Sequence, residues 1–304
     1  MSHIRQGGLH WLLRPLRARS RNGGVPGPGG GAPPRVSVVT PGNDAAAPGH
    51  VPQAALRADW ADRLWEEGFT LPGGEAEIQR LSGLLPLSPA TTLLLLGQDA
   101  GGAARAIAGQ LGAWIAAHPN DALLAGRMAA RLKPLGRRVA VQGWNPAQPV
   151  FRARYHHHAL ALEALRVCPD PARLLPAIAT ALKPGAQFVL LDIAQFGEAA
   201  PGPALLRWME LEGRPAPPPT RAAVESALAA SGFRLHVTED AGTRHCAAAM
   251  EAWSRLIGSL RGQARPGPAA AAALVAEAEA WLLRQRLLAG GGLGLFRWHA
   301  SLAG

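Results

Sequence analysis

The run TTLLLLGQDAGGAARAIAGQLGAW, residues 91–114, joins an apolar strand, a glycine turn and an alanine-rich helix. That is the outline of a loop that takes a nucleotide cofactor. Glycine in such a turn lets the backbone approach a ligand and adopt φ > 0. The middle position of the turn, most often glycine, is Asp99. Aspartate is among the residues best able to enter the left-handed region, so it is compatible with the turn.

Other residues invite chemical readings. In YHHHALALE (155–163) a strand turns His156 and His158 to one side and His157 to the other, so the three cannot share one metal. No thiolate or helical histidine pair lies nearby, and no metal site is expected. The carboxyl end of that strand, Leu162 and Glu163, opens where a ligand crevice belongs. Glu163 reads either as a group that orients a substrate or accepts a proton, or as a surface carboxylate at a helix start. Asp192 closes the next strand in the same region, whereas Arg297 and His299 read as exterior residues. A dinucleotide fingerprint fails, because Gly97-x-Asp99-x-x-Gly102 lacks its middle glycine and no acidic ribose partner follows about twenty residues later. There is no G-x-S-x-G elbow, which leaves a hydrolase unsupported.

The elements that position these residues alternate. After a helix that sets Leu56, Trp60, Leu64 and Trp65 on one face and a second helix ending at Pro86, the pattern predicts strand 91–96, helix 101–111, strand 113–117, helix 121–132 and strand 138–142. Strand 156–161, helix 171–182 and strand 186–192 follow. Asp170 and Pro171 start the last of these helices, and Gly185 is expected as its C-cap. A helix within 217–231, a sixth strand, two helices (243–260 and 269–289) and a terminal strand complete the chain. Such alternation implies a parallel sheet covered on both faces. Leu274, Ala278, Trp281, Leu282 and Leu288 predict one apolar stripe, which reads as a substrate lid, as core packing or as a dimer contact.

Composition sets the class. The formal charge is +10, yet residues 1–43 hold six arginines and no acidic residue, leaving 25 basic and 21 acidic groups elsewhere. Residues 1–50 are therefore expected as a disordered, basic Pro/Gly-rich tail, a transit peptide or surface anchor at most, ahead of a nearly balanced domain at 51–304. No nucleic-acid partner is expected of that domain. No apolar run reaches membrane-span length. The two cysteines, Cys168 and Cys246, suit a reducing compartment, so a cytoplasmic location is expected.

Four segments together resemble a class I S-adenosylmethionine (SAM)-dependent methyltransferase of the small-molecule type: LLLLGQDAGGAARAIAGQLGAW, HHALALEALRVCPDPARLLPAIATALKPGAQFVLLDI, ASGFRLHVTED and the terminal strand. The resemblance spans about residues 55–303. It implies a Rossmann-like sheet of seven strands, mostly parallel with the last antiparallel, helices on both faces and a helical insertion (243–290) before the last strand. It also implies SAM as cofactor and a small-molecule substrate with an O, N or C nucleophile. Carried over by position, Gly97, Gln98, Asp99, Ala100 and Gly101 form the cofactor loop. His118 and Asn120 stand where the family places an acidic ribose partner, and Gly143, Trp144 and Asn145 stand at the adenine. Leu95 occupies a position that is often acidic. An Asp99 carboxylate facing the SAM ammonium would favour binding; facing the SAM carboxylate it would oppose it by about 4 kcal/mol at an effective dielectric of 20. The alternative reading is a non-catalytic protein of this fold that binds a partner or another ligand.

Overall fold

The computed structural model describes residues 52–198 and 200–304; the expected tail through residue 50 lies outside them. Two helices lead in, α1 (Gln53–Trp65) and α2 (Gly74–Ser82). Then come β1 (Thr92–Gly97), α3 (Gly102–Leu111), β2 (Trp114–Pro119), α4 (Ala122–Leu132), β3 (Val139–Val141) and β4 (His156–Leu162). The second half holds α5 (Pro171–Ala181), β5 (Leu182–Gln195), α6 (Pro203–Glu212), α7 (Arg221–Ala230), β6 (Phe233–Asp240), α8 (Gly242–Leu260), α9 (Pro268–Ala289) and β7 (Leu293–Leu302).

The seven strands form one sheet in the order β3-β2-β1-β4-β5-β7-β6. All pairings are parallel except those of β7, which runs antiparallel to both β5 and β6. The leucine run of β1 explains its central place. Leu93 and Leu95 enter the core under α1, α2, α8 and α9, while Leu94 and Leu96 enter the core under α5 and α7. A strand buried on both faces needs apolar residues at every position. The order reverses at β1, between β2 and β4, and the crevice beyond the carboxyl ends of those strands is where an open α/β sheet binds ligands.

Several expectations are corrected. Gly185 does not cap α5: that helix ends at Ala181, and Gly185 (φ 75°) bends the lead-in of a longer β5 instead. Helix α6 was not anticipated, although Pro203 at its start and Gly213 (φ 65°) past its end are ordinary boundary signals. The stripe on α9 is also displaced. Its buried residues are Ala273, Glu277, Ala280, Trp281 and Arg284, so two charged side chains lie on the inner face. Arg297 is half-buried in an ion pair with Glu239 (2.6 Å) rather than exterior. Among the described residues, no helix is long and apolar enough to cross a membrane.

Candidate functional site

The loop between β1 and α3 is closed upon itself. Asp99 is 2% exposed, and its carboxylate turns back onto the start of α3, accepting from the backbone N–H groups of Gly101 (3.0 Å), Ala103 (3.0 Å) and Ala104 (3.1 Å). It faces neither end of an amino-acid ligand. Asp99 does not use the left-handed region either; Gly97 (φ 105°) and Gly101 (φ 110°) supply the positive φ values. A helix N-terminus is a natural anion site. Here the chain's own carboxylate fills it, which leaves a pyrophosphate no seat and removes the dinucleotide reading.

The segment Gly68–Thr70 straps the same loop, an element that sequence reading missed. The Gly68 carbonyl accepts from the N–H groups of Ala100 (3.1 Å) and Gly102 (2.9 Å), and the Thr70 hydroxyl donates to the Gln98 carbonyl (2.7 Å). This approach requires glycine on both sides: a Cβ on Gly68 would meet the Gly102 nitrogen at 2.7 Å. The N–H of Gln98 goes to Leu162 (2.7 Å), and Arg131 donates to the Ala100 carbonyl (2.9 Å). What the loop offers the crevice is therefore side chain, chiefly Gln98, which lines the cavity described below. Asp99→Ala strips acceptors from three N–H groups in a buried place and is expected to cost about 2 kcal/mol, read as a lower urea midpoint.

At the end of β2, Asn120 is 8% exposed. Its Nδ2 donates to the Glu163 carbonyl (3.2 Å), tying the ends of β2 and β4 together, while its Oδ1 has no partner among the described residues. His118, one turn of the strand earlier, is buried; burial pushes its imidazole below the usual range. Asp121 caps α4 by accepting from the N–H of Leu124 (2.9 Å). Beyond β3, Trp144 and His118 both pack on Phe151, with ring centroids 5.8 and 5.1 Å away. Trp144 therefore has one aromatic neighbour in the fold, and its Nε1 finds no acceptor among the described residues. Asn145 uses its Oδ1 to accept from the Ala147 N–H (3.0 Å) in an exposed turn, and Gly143 is exposed as well.

Glu163 is not a surface carboxylate. It is 1% exposed, sits in the left-handed region (φ 48°), and meets three arginines with Glu212. Arg284 of α9 pairs with both carboxylates, closest to Glu163 and at 3.5 Å from Glu212. Arg214 lies 3.5 Å from Glu163 and 3.0 Å from Glu212, and Arg166 lies 3.9 Å from Glu212. Trp208 also donates to Glu212 (2.9 Å). Burial raises the Glu163 carboxyl, but Arg284, then Arg214 and Arg166, outweigh it and hold the group below its ordinary value. Such a carboxylate is a fixed anion and a poor proton acceptor at neutral pH. Asp192, fully buried behind it, is pushed up to about 7 by burial, and it accepts from the N–H groups of Leu165 (2.7 Å) and Ile193 (2.9 Å).

A cavity of about 190 Å³ lies between the β1–α3 loop and the arginine–glutamate cluster; Asn120, His118 and Trp144 do not line it. Gln98 and Asp121 lie on its strand side, Trp65 and Phe69 on another wall, and Glu163 and Arg284 on a third. Helix α1 closes it against α9 through Arg57–Glu277 (2.7 Å) and Trp60 donating to the Ala270 carbonyl (2.8 Å). The helical insertion thus both packs into the core and walls the cavity.

The buried titratable groups give the fold a pH profile. Asp99, raised by burial to about 6, and Asp192, at about 7, stabilise most below their unfolded value and lose that contribution as pH rises through 6 and 7. His156 and His158, lowered to about 4 by burial, act oppositely, as do His118 and His245: their contribution is full above pH 6.5 and is lost as pH falls toward 4. The histidines outnumber the acids, so stability should rise from about pH 4 to 6.5 and change little above about pH 7. Asp192→Asn should steepen that rise, because it removes the opposing loss between about pH 4 and 7, measured by denaturant titration at each pH.

No family model matches the chain, and no curated protein does. Solved structures do. Phosphoethanolamine N-methyltransferase 2 of Haemonchus contortus superposes with a TM-score of 0.71 at 15% identity, over 83% of this chain and 58% of that one. The chain therefore spans less than two thirds of that enzyme's length. The cyclopropane synthase MmaA2 of Mycobacterium tuberculosis matches with a TM-score of 0.63 at 18% identity, over 85% of this chain and 100% of its own. The cyclase SpnF matches with a TM-score of 0.61 at 17% identity, over 82% and 93%. The chain has the class I methyltransferase fold, down to the antiparallel last strand inserted between β5 and β6.

Proposed function

We propose that this protein is a SAM-dependent methyltransferase acting on a small molecule, with its cofactor across the carboxyl ends of β1, β2 and β4. Asn120 carries the reading. Its Oδ1 is a buried acceptor without a partner, beside Gly97 at the strand switch point. An unmet acceptor in such a place costs about 1–3 kcal/mol, and a sugar hydroxyl donates what it lacks. The residues present fit the nucleoside at this point, with a neutral amide in place of the usual carboxylate.

When bound, SAM supplies an electrophilic methyl group for in-line displacement, a reaction that depends chiefly on proximity and orientation. Gln98 and Asn120 orient the cofactor side of the crevice. Glu163, held as an anion by Arg284 and Arg214, positions rather than exchanges protons. Trp65, Phe69 and Trp281 exclude water around the transfer path. The acceptor is a small molecule rather than a nucleic acid, and the two free cysteines suit a cytoplasmic setting. Asn120→Ala is expected to weaken SAM binding about tenfold while leaving the fold intact, measured by equilibrium dialysis.

A second reading has its own observation. The N–H groups of the loop are all engaged within the protein. The cavity of about 190 Å³ is also smaller than the roughly 300–1,000 Å³ of typical ligand pockets. In that reading the fold binds a smaller ligand or a partner and transfers no methyl group. Binding of neither SAM nor adenosine by folded protein would select it.

A further inference from the structure

Charge and donor counts around the cavity do not balance, and the imbalance is confined to one end. Elsewhere on the wall each charge is matched: Arg57 by Glu277, Asp62 by Arg127 and Arg131, and Asp121 by the α4 backbone. At the inner end, Arg166, Arg214 and Arg284 pair with the carboxylates of Glu163 and Glu212, and Arg166 also donates to the Glu212 carbonyl. Asp192 is the next carboxylate, but burial raises it to about 7 and its oxygens accept from the Leu165 and Ile193 N–H groups. Three guanidiniums bring about fifteen N–H donors, against about eight lone-pair sites on two carboxylates. Among the described residues, the buried Nε of Arg284 and Nη2 of Arg214 find no hydrogen-bond partner, the latter lying 3.5 Å from Glu163 as an ion pair only. Arg284 lines the cavity, and so does Arg166, whose side chain keeps 23% of its surface exposed. Desolvated positive charge in surplus is costly, and an oxyanion is the group that relieves it.

We infer that the inner end of the cavity is an anion subsite, in which Arg166 and Arg284 hold a carboxylate or other oxyanion of the small-molecule acceptor. Arg166 supplies the accessible fork, and Glu163 and Glu212 fix the guanidiniums in place. As the specificity site of the methyl acceptor, this subsite rests on the proposed function; as an anion site it stands without it. The fork geometry of guanidinium favours planar, two-oxygen recognition, so an acceptor bearing a carboxylate or a phosphate fits, and a neutral or cationic one does not.

The test is calorimetric titration of the full chain, without SAM, in chloride-free buffer with benzoate and, separately, inorganic phosphate. Saturable one-site binding of at least one anion is expected. Arg166→Gln should weaken it about tenfold or more, and Arg166→Lys should weaken it less. The surface variant Arg255→Gln should leave it unchanged. Tighter binding of benzoate assigns a carboxylate acceptor, and tighter binding of phosphate a phosphate-bearing one. Equal binding to the unmodified protein and to folded Arg166→Gln overturns the subsite, as does no saturable binding of either anion to folded protein. Because SAM is absent, failure here leaves the methyl-transfer reading intact. Anion binding by a protein that ignores SAM would keep the subsite and remove the methyl transfer.

Discussion

Glu163→Gln is expected to destabilise the protein by about 3–5 kcal/mol, one of the largest losses for any side-chain change that conserves volume. The size follows from what is left behind. Arg166, Arg214 and Arg284 would keep Glu212 as their one close carboxylate, with Asp192 behind it, in a region where Glu163 and Arg284 are 1% and 2% exposed. Glutamine keeps the shape and the left-handed backbone, so the change isolates the charge. Adding Arg284→Met removes one of the stranded cations, and the double variant should be more stable than the sum of the single losses implies. Urea unfolding of the four proteins measures this coupling. A Glu163→Gln loss below about 1 kcal/mol would mean that water reaches the cluster and that its charges are not desolvated.

Gly97→Ala should be at least as damaging, with an expected loss of about 4 kcal/mol or more. A Cβ on this residue falls 2.0 Å from the Leu162 carbonyl oxygen, and φ is 105°. Gly97 pairs with Leu162 where β1 lies beside β4, so the strands must part just where the crevice begins. Gly143→Ala is the control: among the described residues no atom lies within 4 Å of its Cβ, and the change should stay within about 0.5 kcal/mol. Thermal unfolding of the two variants separates a glycine required by the fold from one that only occupies a family position.

Much of the scaffold is legible in local sequence. TLLLLG, uniformly apolar and ended by glycine, reads as a central parallel strand, and Asp170-Pro171 reads as a helix start; both are found. These signals lie within a few residues of what they specify. The site is less legible, because its contacts join distant segments. Glu163 and Arg284 are 121 residues apart, and no local pattern marks them as partners. One clue was present: Glu277 and Arg284, two turns apart in an alanine-rich helix, share a face that turns inward. Asp99 shows a second limit. Its place just before α3 suits a capping carboxylate, but a family alignment directs attention to the ligand instead of the helix. Phe151 shows a third, since a ring in a long connection gives no sign of which other ring it will cover.

The most direct test is calorimetric titration of SAM and S-adenosylhomocysteine into the full chain at about pH 7, above the range in which the buried histidines cost stability. Saturable binding of both ligands with 1:1 stoichiometry, weakened in Asn120→Ala, is the expected result. Absence of heat and of competition by either ligand, in protein whose cooperative unfolding proves it folded, would contradict methyl transfer and assign the crevice to a smaller ligand or a partner.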